Sequence, residues 1–152
     1  MDQPDDDLRA QRFADLEPLV AYRLWALRSR VFVLEQEAVY LDLDGRDTEP
    51  GTWHLWCADD AGAPVATLRV LDDVAVWRVG RVATDAAHRG RGLAGRLMRG
   101  VLERWGSEPV VLDAQVYLRD WYAGFGFVES GPVFEDEDGI PHVPMRREGT
   151  TG

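Results

Sequence analysis

Arg89-Gly90-Arg91-Gly92-Leu93-Ala94, followed at once by the helical run Gly95 to Arg104, is the stretch on which the reading of this 152-residue chain turns. Glycines let backbone N–H groups approach an anion closely, and the first turn of the following helix adds unpaired N–H groups and the positive end of its dipole. The run reads as a cradle for the pyrophosphate of a coenzyme, built without any dedicated side chain. Its surroundings agree. Between Arg78 and Arg99 stand six arginines (Arg78, Arg81, Arg89, Arg91, Arg96, Arg99) against a single acid, Asp85, in a chain of formal net charge −10. A local positive field in an acidic chain is what an anion site needs.

The length suits one domain with one packed core. No stretch approaches the ~20 apolar residues that cross a bilayer, and the start, Met1-Asp2-Gln3-Pro4-Asp5-Asp6-Asp7, is acidic where a signal peptide would be basic and then apolar. A cytoplasmic protein with no membrane association is expected. The acidic balance argues against nucleic acid as a partner, since binding a phosphate backbone needs a basic face. All seventeen basic residues are arginine. Schiff-base chemistry and lysine general bases are therefore excluded. Cys57 is the single cysteine, so neither an intramolecular disulfide nor a cysteine zinc site can form, and it reads as a small buried apolar residue.

Strand and helix patterns alternate without repeats or long linkers, as one α/β or α+β unit. Residues 1–8 are expected to be a disordered acidic segment, 9–148 the domain and 149–152 a flexible tail. A strand is expected at about Ala10 to Leu16. Pro18 then opens a helix carrying Leu24, Leu27, Val31 and Phe32. A loop follows from Asp42 to Gly51. Trp53 to Ala58 and Pro64 to Leu71 form a hairpin about Asp59-Asp60-Ala61-Gly62, and Trp77 to Thr84 is a strand feeding the glycine turn. Pro109 to Val116 is an apolar strand and Arg119 to Phe125 a short helix. Val133-Phe134 and Val143 to Met145 pair about Asp138-Gly139.

A Gly-x-Gly turn alone is a weak signal. It lacks the third glycine and distal acid of a dinucleotide fold and the Lys-Ser/Thr of a P-loop, so both of those readings fall. What remains matches Arg/Gln-x-x-Gly-x-Gly/Ala through Arg89, Gly92 and Ala94, and here the chain resembles the GNAT superfamily of acyl-CoA-dependent N-acyltransferases. Tyr122-Ala123-Gly124-Phe125-Gly126-Phe127 resembles the superfamily's Tyr-x-x-x-Gly-Phe element, in the family's order. Arg28 to Gln36, the acids Asp42, Asp44 and Asp47, and Glu137-Asp138-Gly139-Ile140-Pro141-His142 look like the ElaA-like branch. The likeness runs from about Leu19 to Arg146.

The resemblance implies a mixed, mostly antiparallel, twisted sheet of six to seven strands flanked by about four helices, with a V-shaped splay between the two central strands. It implies acetyl-CoA as co-substrate, no metal, and a small-molecule or peptide amine as acceptor; a homodimer is the default among similar proteins. Arg89, Gly90, Arg91, Gly92, Leu93 and Ala94 would bind the pyrophosphate through backbone amides. Val82, Ala83 and Thr84 would meet the pantetheine arm, and Gly80 would mark a strand bulge or simply admit a close neighbour. Tyr122 would stand near the sulfur as general acid, since a phenol of pKa ~10 is protonated at neutral pH; the alternative is an amphipathic core residue.

The base is less defined, because many members carry a glutamate on the fourth strand and Trp77 to Thr84 contains no acid. Glu35 is a substitute, equally suited to a helix-end ion pair. His54 and His142 are the other candidates, each also suited to a structural role. Gln115 would orient the acceptor or satisfy a neighbouring backbone group, and Glu35 shares that acceptor role. Asp42 to Asp47 superficially suggests a calcium loop, but its glycine is fourth rather than sixth and no glutamate stands twelfth. Glu135 to Asp138 reads as a solvated hairpin tip that could also line an acceptor cleft. The expected activity is transfer of an acetyl group from acetyl-CoA to a primary amine, by direct attack in a ternary complex. Its rival is a non-catalytic acyl-CoA-binding or regulatory module of the same fold.

Overall fold

A computed structural model describes residues 8–150. Local chemistry sets its first hairpin. Asp59 accepts hydrogen bonds from the amides of Ala61 and Ala63, both at 2.9 Å, and Gly62 turns at φ +85°, so β2 (Trp53–Ala58) and β3 (Pro64–Asp73) close on each other antiparallel. β1 (Leu8–Arg12) pairs with β2, and β4 (Val76–Thr84) with β3. β5 (Val110–Gln115) joins β4 in parallel and β8 (Pro141–Arg147) antiparallel; the two-residue strands β6 (Val128–Glu129) and β7 (Phe134–Glu135) both pair with β8. The order β1-β2-β3-β4-β5-β8-β6, with β7 also on β8, is an eight-stranded, mostly antiparallel sheet. Val128–Glu129 is the strand that the sequence pattern does not announce.

α2 (Leu93–Trp105) lays Leu97, Met98, Val101 and Trp105 into the main core with Leu55, Leu68 and Val70. A Cβ at Gly100 would stand 2.7 Å from a methyl of Leu8, so glycine there permits the close approach of helix to sheet. α1 (Pro18–Arg28) begins on its proline as expected. It then widens into a π-helical turn, Ser29–Glu35, that buries Val31 and Phe32 with Leu27 in a second cluster. α3 (Arg119–Ala123) is one short turn, the third α-helix among the described residues. The first strand also differs: it begins at Leu8, and Phe13–Asp15 is a 3-10 turn.

The expected disordered segment lies outside the described residues except for Leu8, which starts β1. The expected tail is anchored at Thr150, whose amide and hydroxyl both donate to the Gly106 carbonyl at 2.9 and 3.2 Å; 151–152 lie outside the described residues. Cys57 is buried in β2. No helix among the described residues is long and apolar enough to cross a membrane.

The loop between the π turn and β2 is tied down by charge. Arg28, 1% exposed, binds Asp47 at 2.8 Å and Asp42 at 3.1 Å; Arg69, 4% exposed, binds Asp44 at 2.7 Å and Asp47 at 3.2 Å. The carboxylates that superficially suggest a calcium loop are thus committed to guanidinium groups. Burial opposes ionisation of Asp47, but hydrogen bonds and charge from Arg28 and then Arg69 outweigh it and hold its carboxyl below the ordinary 3.8. A depressed carboxyl stabilises the fold above its unfolded pKa and loses that contribution as pH falls through its folded value. Asp47→Asn should therefore lower unfolding stability by about 3 kcal/mol near pH 7, by leaving buried guanidinium charge under-compensated. Denaturant titrations should show the gap from the parent closing as pH drops below about 4; a constant gap down to acid pH would mean that the carboxylate charge is not what Asp47 contributes.

Candidate active site

β4 and β5 pair only at Trp77↔Val110 and Arg78↔Val111. Beyond Arg78 they diverge: β4 continues against β3 alone and β5 against β8. The result is the V-shaped gap, with the β4 edge from Val79 to Thr84 bare toward it. One cause is visible in the β3–β4 register, where Thr67 to Arg69 on β3 span Gly80 to Ala83 on β4, one residue more. A bulge of this kind increases local twist and reverses the alternation of side chains. Accordingly Val79 packs in the core under α2, whereas Ala83 packs with Leu27, Val31 and Phe32. Gly80 was the expected mark of this bulge, but the residue in the left-handed region is Arg81, at φ +54°.

The gap opens into a cleft of about 1010 Å³ walled by β4 from Val79 to Thr84, by Leu112 and Gln115 of β5, and by Tyr122. A second cavity of about 500 Å³ is formed by the turn from His88 to Arg96 together with Arg99, Trp121 and Phe125. Thr84, Arg89, Ala94 and Trp121 line both, so the two are contiguous. In the turn, Gly90 and Gly92 take φ +81° and +73°, conformations that cost a residue with a Cβ. Gly92 is the N-cap of α2 and offers no side chain, which leaves the first amides of the helix without a capping partner. Arg96, one turn into α2, has Nε and Nη2 buried with no hydrogen-bond partner among the described residues. Asp85 is occupied by His88 at 3.0 Å and Arg30 at 3.5 Å, with His88 the larger cause of its lowered carboxyl pKa, and Glu35 is paired with Arg89. The field at the turn stays positive.

Tyr122 is 6% exposed, set edge-on against Trp121 and Phe127, and its hydroxyl meets no hydrogen-bond partner among the described residues. Burial, with a smaller contribution from Tyr117, pushes its phenol up to about 12. Glu35 ends the π turn and reaches Arg89 at 2.7 Å, while Arg89 Nε donates to the Thr84 carbonyl at 3.1 Å. Gln115 and His142 oppose each other across β5 and β8 at the mouth of the cleft. The His142 ring stacks on Phe134, and its Nδ1 lies 2.9 Å from the Ile140 carbonyl.

Among the candidate residues, His54 is the one the structure does not bring to the cleft. It is 1% exposed in β2, packed edge-on against Trp25, with Nε2 2.9 Å from the Asp47 carbonyl. Burial holds its pKa below the ordinary value. It braces the Asp42–Asp47 loop. Glu135 to Asp138 do line the cleft, and Asp138 also accepts the Val39 amide at 2.6 Å, joining two loops across it. Tyr40, Arg81 and Arg96 line these cavities without having been singled out as site residues. Arg96 had a signal, its place one helical turn after Gly92; Tyr40 and Arg81 had none.

The acetyltransferase (GNAT) domain family matches residues 32–148. A UPF0039 protein of Mycobacterium tuberculosis is 44% identical over 140 residues, covering 90% of this chain and 89% of that one. Protein ElaA of Escherichia coli is 40% identical over 133 residues, 84% of this chain and 86% of its own. Its crystal structure superposes with a TM-score of 0.84, over 93% of this chain and 98% of ElaA. An acyl-CoA N-acyltransferase from Pseudomonas aeruginosa superposes at 0.85 and 39% identity, over 93% and 98% of the two chains. With its splayed central strands and glycine turn, the chain belongs to the GNAT acetyltransferase family, in the ElaA-like branch.

Proposed function

We propose that the chain moves an acetyl group from acetyl-CoA to a primary amine by direct attack in a ternary complex. Membership of the family supports acyl transfer from an acyl-CoA in general. The observation that carries the specific reading is the continuity of the bare β4 edge, the glycine turn and the Tyr122 side chain through contiguous cavities. The residues fit the coenzyme. Arg96 presents unpartnered guanidinium nitrogens, and the left-handed glycines with the α2 amides make a backbone cradle suited to a pyrophosphate. Val82, Ala83 and Thr84 offer a strand edge for an extended, amide-bearing arm. Bound there, acetyl-CoA supplies the activated thioester.

A phenol held near 12 stays protonated at every working pH, and it is a weaker acid than a departing thiol of pKa about 8.5. Outright proton transfer to the thiolate is uphill, at about 1.4 kcal/mol for each unit of difference. Tyr122 therefore acts by donating a hydrogen bond to the sulfur as negative charge builds on it. On the acceptor side, an alkylammonium of pKa ~10 must lose a proton before it can attack. The Ile140 carbonyl can only accept, so His142 carries its hydrogen on Nδ1 and keeps Nε2 as the nitrogen able to take a proton. His142 is the base in this reading and Gln115 orients the amine beside it. Glu35 is committed to Arg89 and links the π turn to the coenzyme loop. Cys57 is buried in β2 away from the cleft lining, which favours direct transfer over a thiol intermediate.

Arg96→Ala should weaken coenzyme A binding roughly tenfold, the scale of one charge-assisted hydrogen bond. Titration calorimetry reads it, and unchanged affinity would remove Arg96 from the site. Tyr122→Phe should lower kcat about 10- to 1000-fold with acetyl-CoA affinity retained; an unaltered kcat would exclude the hydroxyl from the reaction. The rival reading, a non-catalytic coenzyme-binding module, is favoured by one observation, the absence of any acid on β4. Offered a panel of primary amines, the enzyme would release free thiol from acetyl-CoA with at least one of them, and a chain that binds the coenzyme yet releases none is the module.

A further inference from the structure

Arg81 occupies a torsion that normally belongs to glycine. It is the residue of β4 in the left-handed region, at φ +54°, within the bulge where it and Val82 together oppose Leu68. A Cβ is disfavoured there, and a bulge of this form usually carries glycine at that position. Gly80, immediately before it, does not take the left-handed conformation. The strain is offset by the side chain. The guanidinium meets Asp42 at 2.8 Å and Asp44 at 3.3 Å, donates to the Leu41 and Asp42 carbonyls, and lies 5.0 Å over the Tyr40 ring. Those acids are themselves fixed by Arg28 and Arg69.

We infer that Arg81 is a positioning residue for acyl transfer: its anchorage to the Asp42–Asp44 loop holds the β4 bulge, and the bulge presents the bare strand edge to the coenzyme. Pairing of β4 with β5 ends at Arg78, two positions before the bulge region begins at Gly80, so the local twist falls where the gap opens. Val82, Ala83 and Thr84 follow at once. Released from its anchor, a non-glycine residue at 81 relaxes toward ordinary extended torsions, β4 comes into regular register with β3, and the groups beyond Gly80 turn away from the cleft. The inference rests on the reading of this cleft as the acetyl-CoA site.

Arg81→Ala and Arg81→Gly lose the same ion pairs, so any loosening of the acid loop is common to both, and their difference isolates the backbone torsion. Arg81→Ala should weaken coenzyme A binding about tenfold and lower kcat/KM for acetyl-CoA by at least that factor, with a displaced Val82 amide resonance. Arg81→Gly, free of the Cβ, should stay within about threefold of the parent in both and keep that resonance near its position. Equal losses in the two variants, or an alanine variant indistinguishable from the parent, would overturn the inference. Failure of the parent protein to bind coenzyme A would instead sink the functional reading, and the Val82 resonances would still decide whether Arg81 holds the bulge.

Discussion

Arg28 and Arg69 are almost wholly buried, and each would be untenable there without Asp47 between them. Moving a guanidinium out of water costs several kcal/mol after relaxation, a penalty met here by two hydrogen bonds from Arg28 to Asp47, one from Arg69, and further bonds to Asp42 and Asp44. The arginine fork suits this sharing, since one planar group can address two carboxylates and a carbonyl at fixed angles. Three parts of the chain meet at this cluster: the end of α1, the loop from Asp42 to Asp47, and β3. His54 supports it from below through the Asp47 carbonyl. Without the cluster, a loop with so few apolar residues would have little to hold it against the sheet.

That loop in turn decides what the cleft is. It carries Tyr40 into the lining and reaches β4 through Arg81, and the preceding Val39 amide is held by Asp138 from the β7–β8 hairpin. The arginines on this side of the cleft are compensated, Arg69 and Arg81 by Asp42, Asp44 and Asp47, and Arg78 by Asp73 at 2.9 Å. At the other end Arg91, Arg96 and Arg99 surround the glycine turn with no carboxylate ion-pair partner among the described residues, while Arg89 is paired with Glu35. The cleft is thereby polarised, positive where a pyrophosphate would lie and acidic at Glu135 to Asp138.

The half of the cleft formed by the glycine turn was legible because its requirements are local. A backbone cradle needs left-handed torsions, those need glycine, and Gly90 and Gly92 stand three and one residues before Leu93, where α2 begins. The hairpin was legible for the same reason, through Asp59 and Gly62. The other half of the cleft is assembled from the π turn, the loop at Tyr40, the end of β5 and the last hairpin, which meet only in the folded chain. His54 misled because a histidine in a strand looks the same whether it faces a cleft or a buried carbonyl. Gly80 stands beside the bulge, whose two extra-paired residues are Arg81 and Val82 opposite Leu68. The π turn was hidden by helical spacing that continues from Leu24 through Phe32 with only a slight widening.

Glu35 sits where these two halves join. An α-helical continuation from Arg28 would rotate the last residues of the segment differently from the wider π turn, which lets Val31 and Phe32 bury against Ala83 while Glu35 reaches Arg89. The ion pair is partly exposed, so its own contribution to stability is small. Its geometric effect is larger. It connects the end of the π turn to the first residue of the glycine turn, and Arg89 passes the connection on to β4 through the Thr84 carbonyl. The end of the π turn, the end of the splayed strand and the start of the glycine turn are thus held in one cluster.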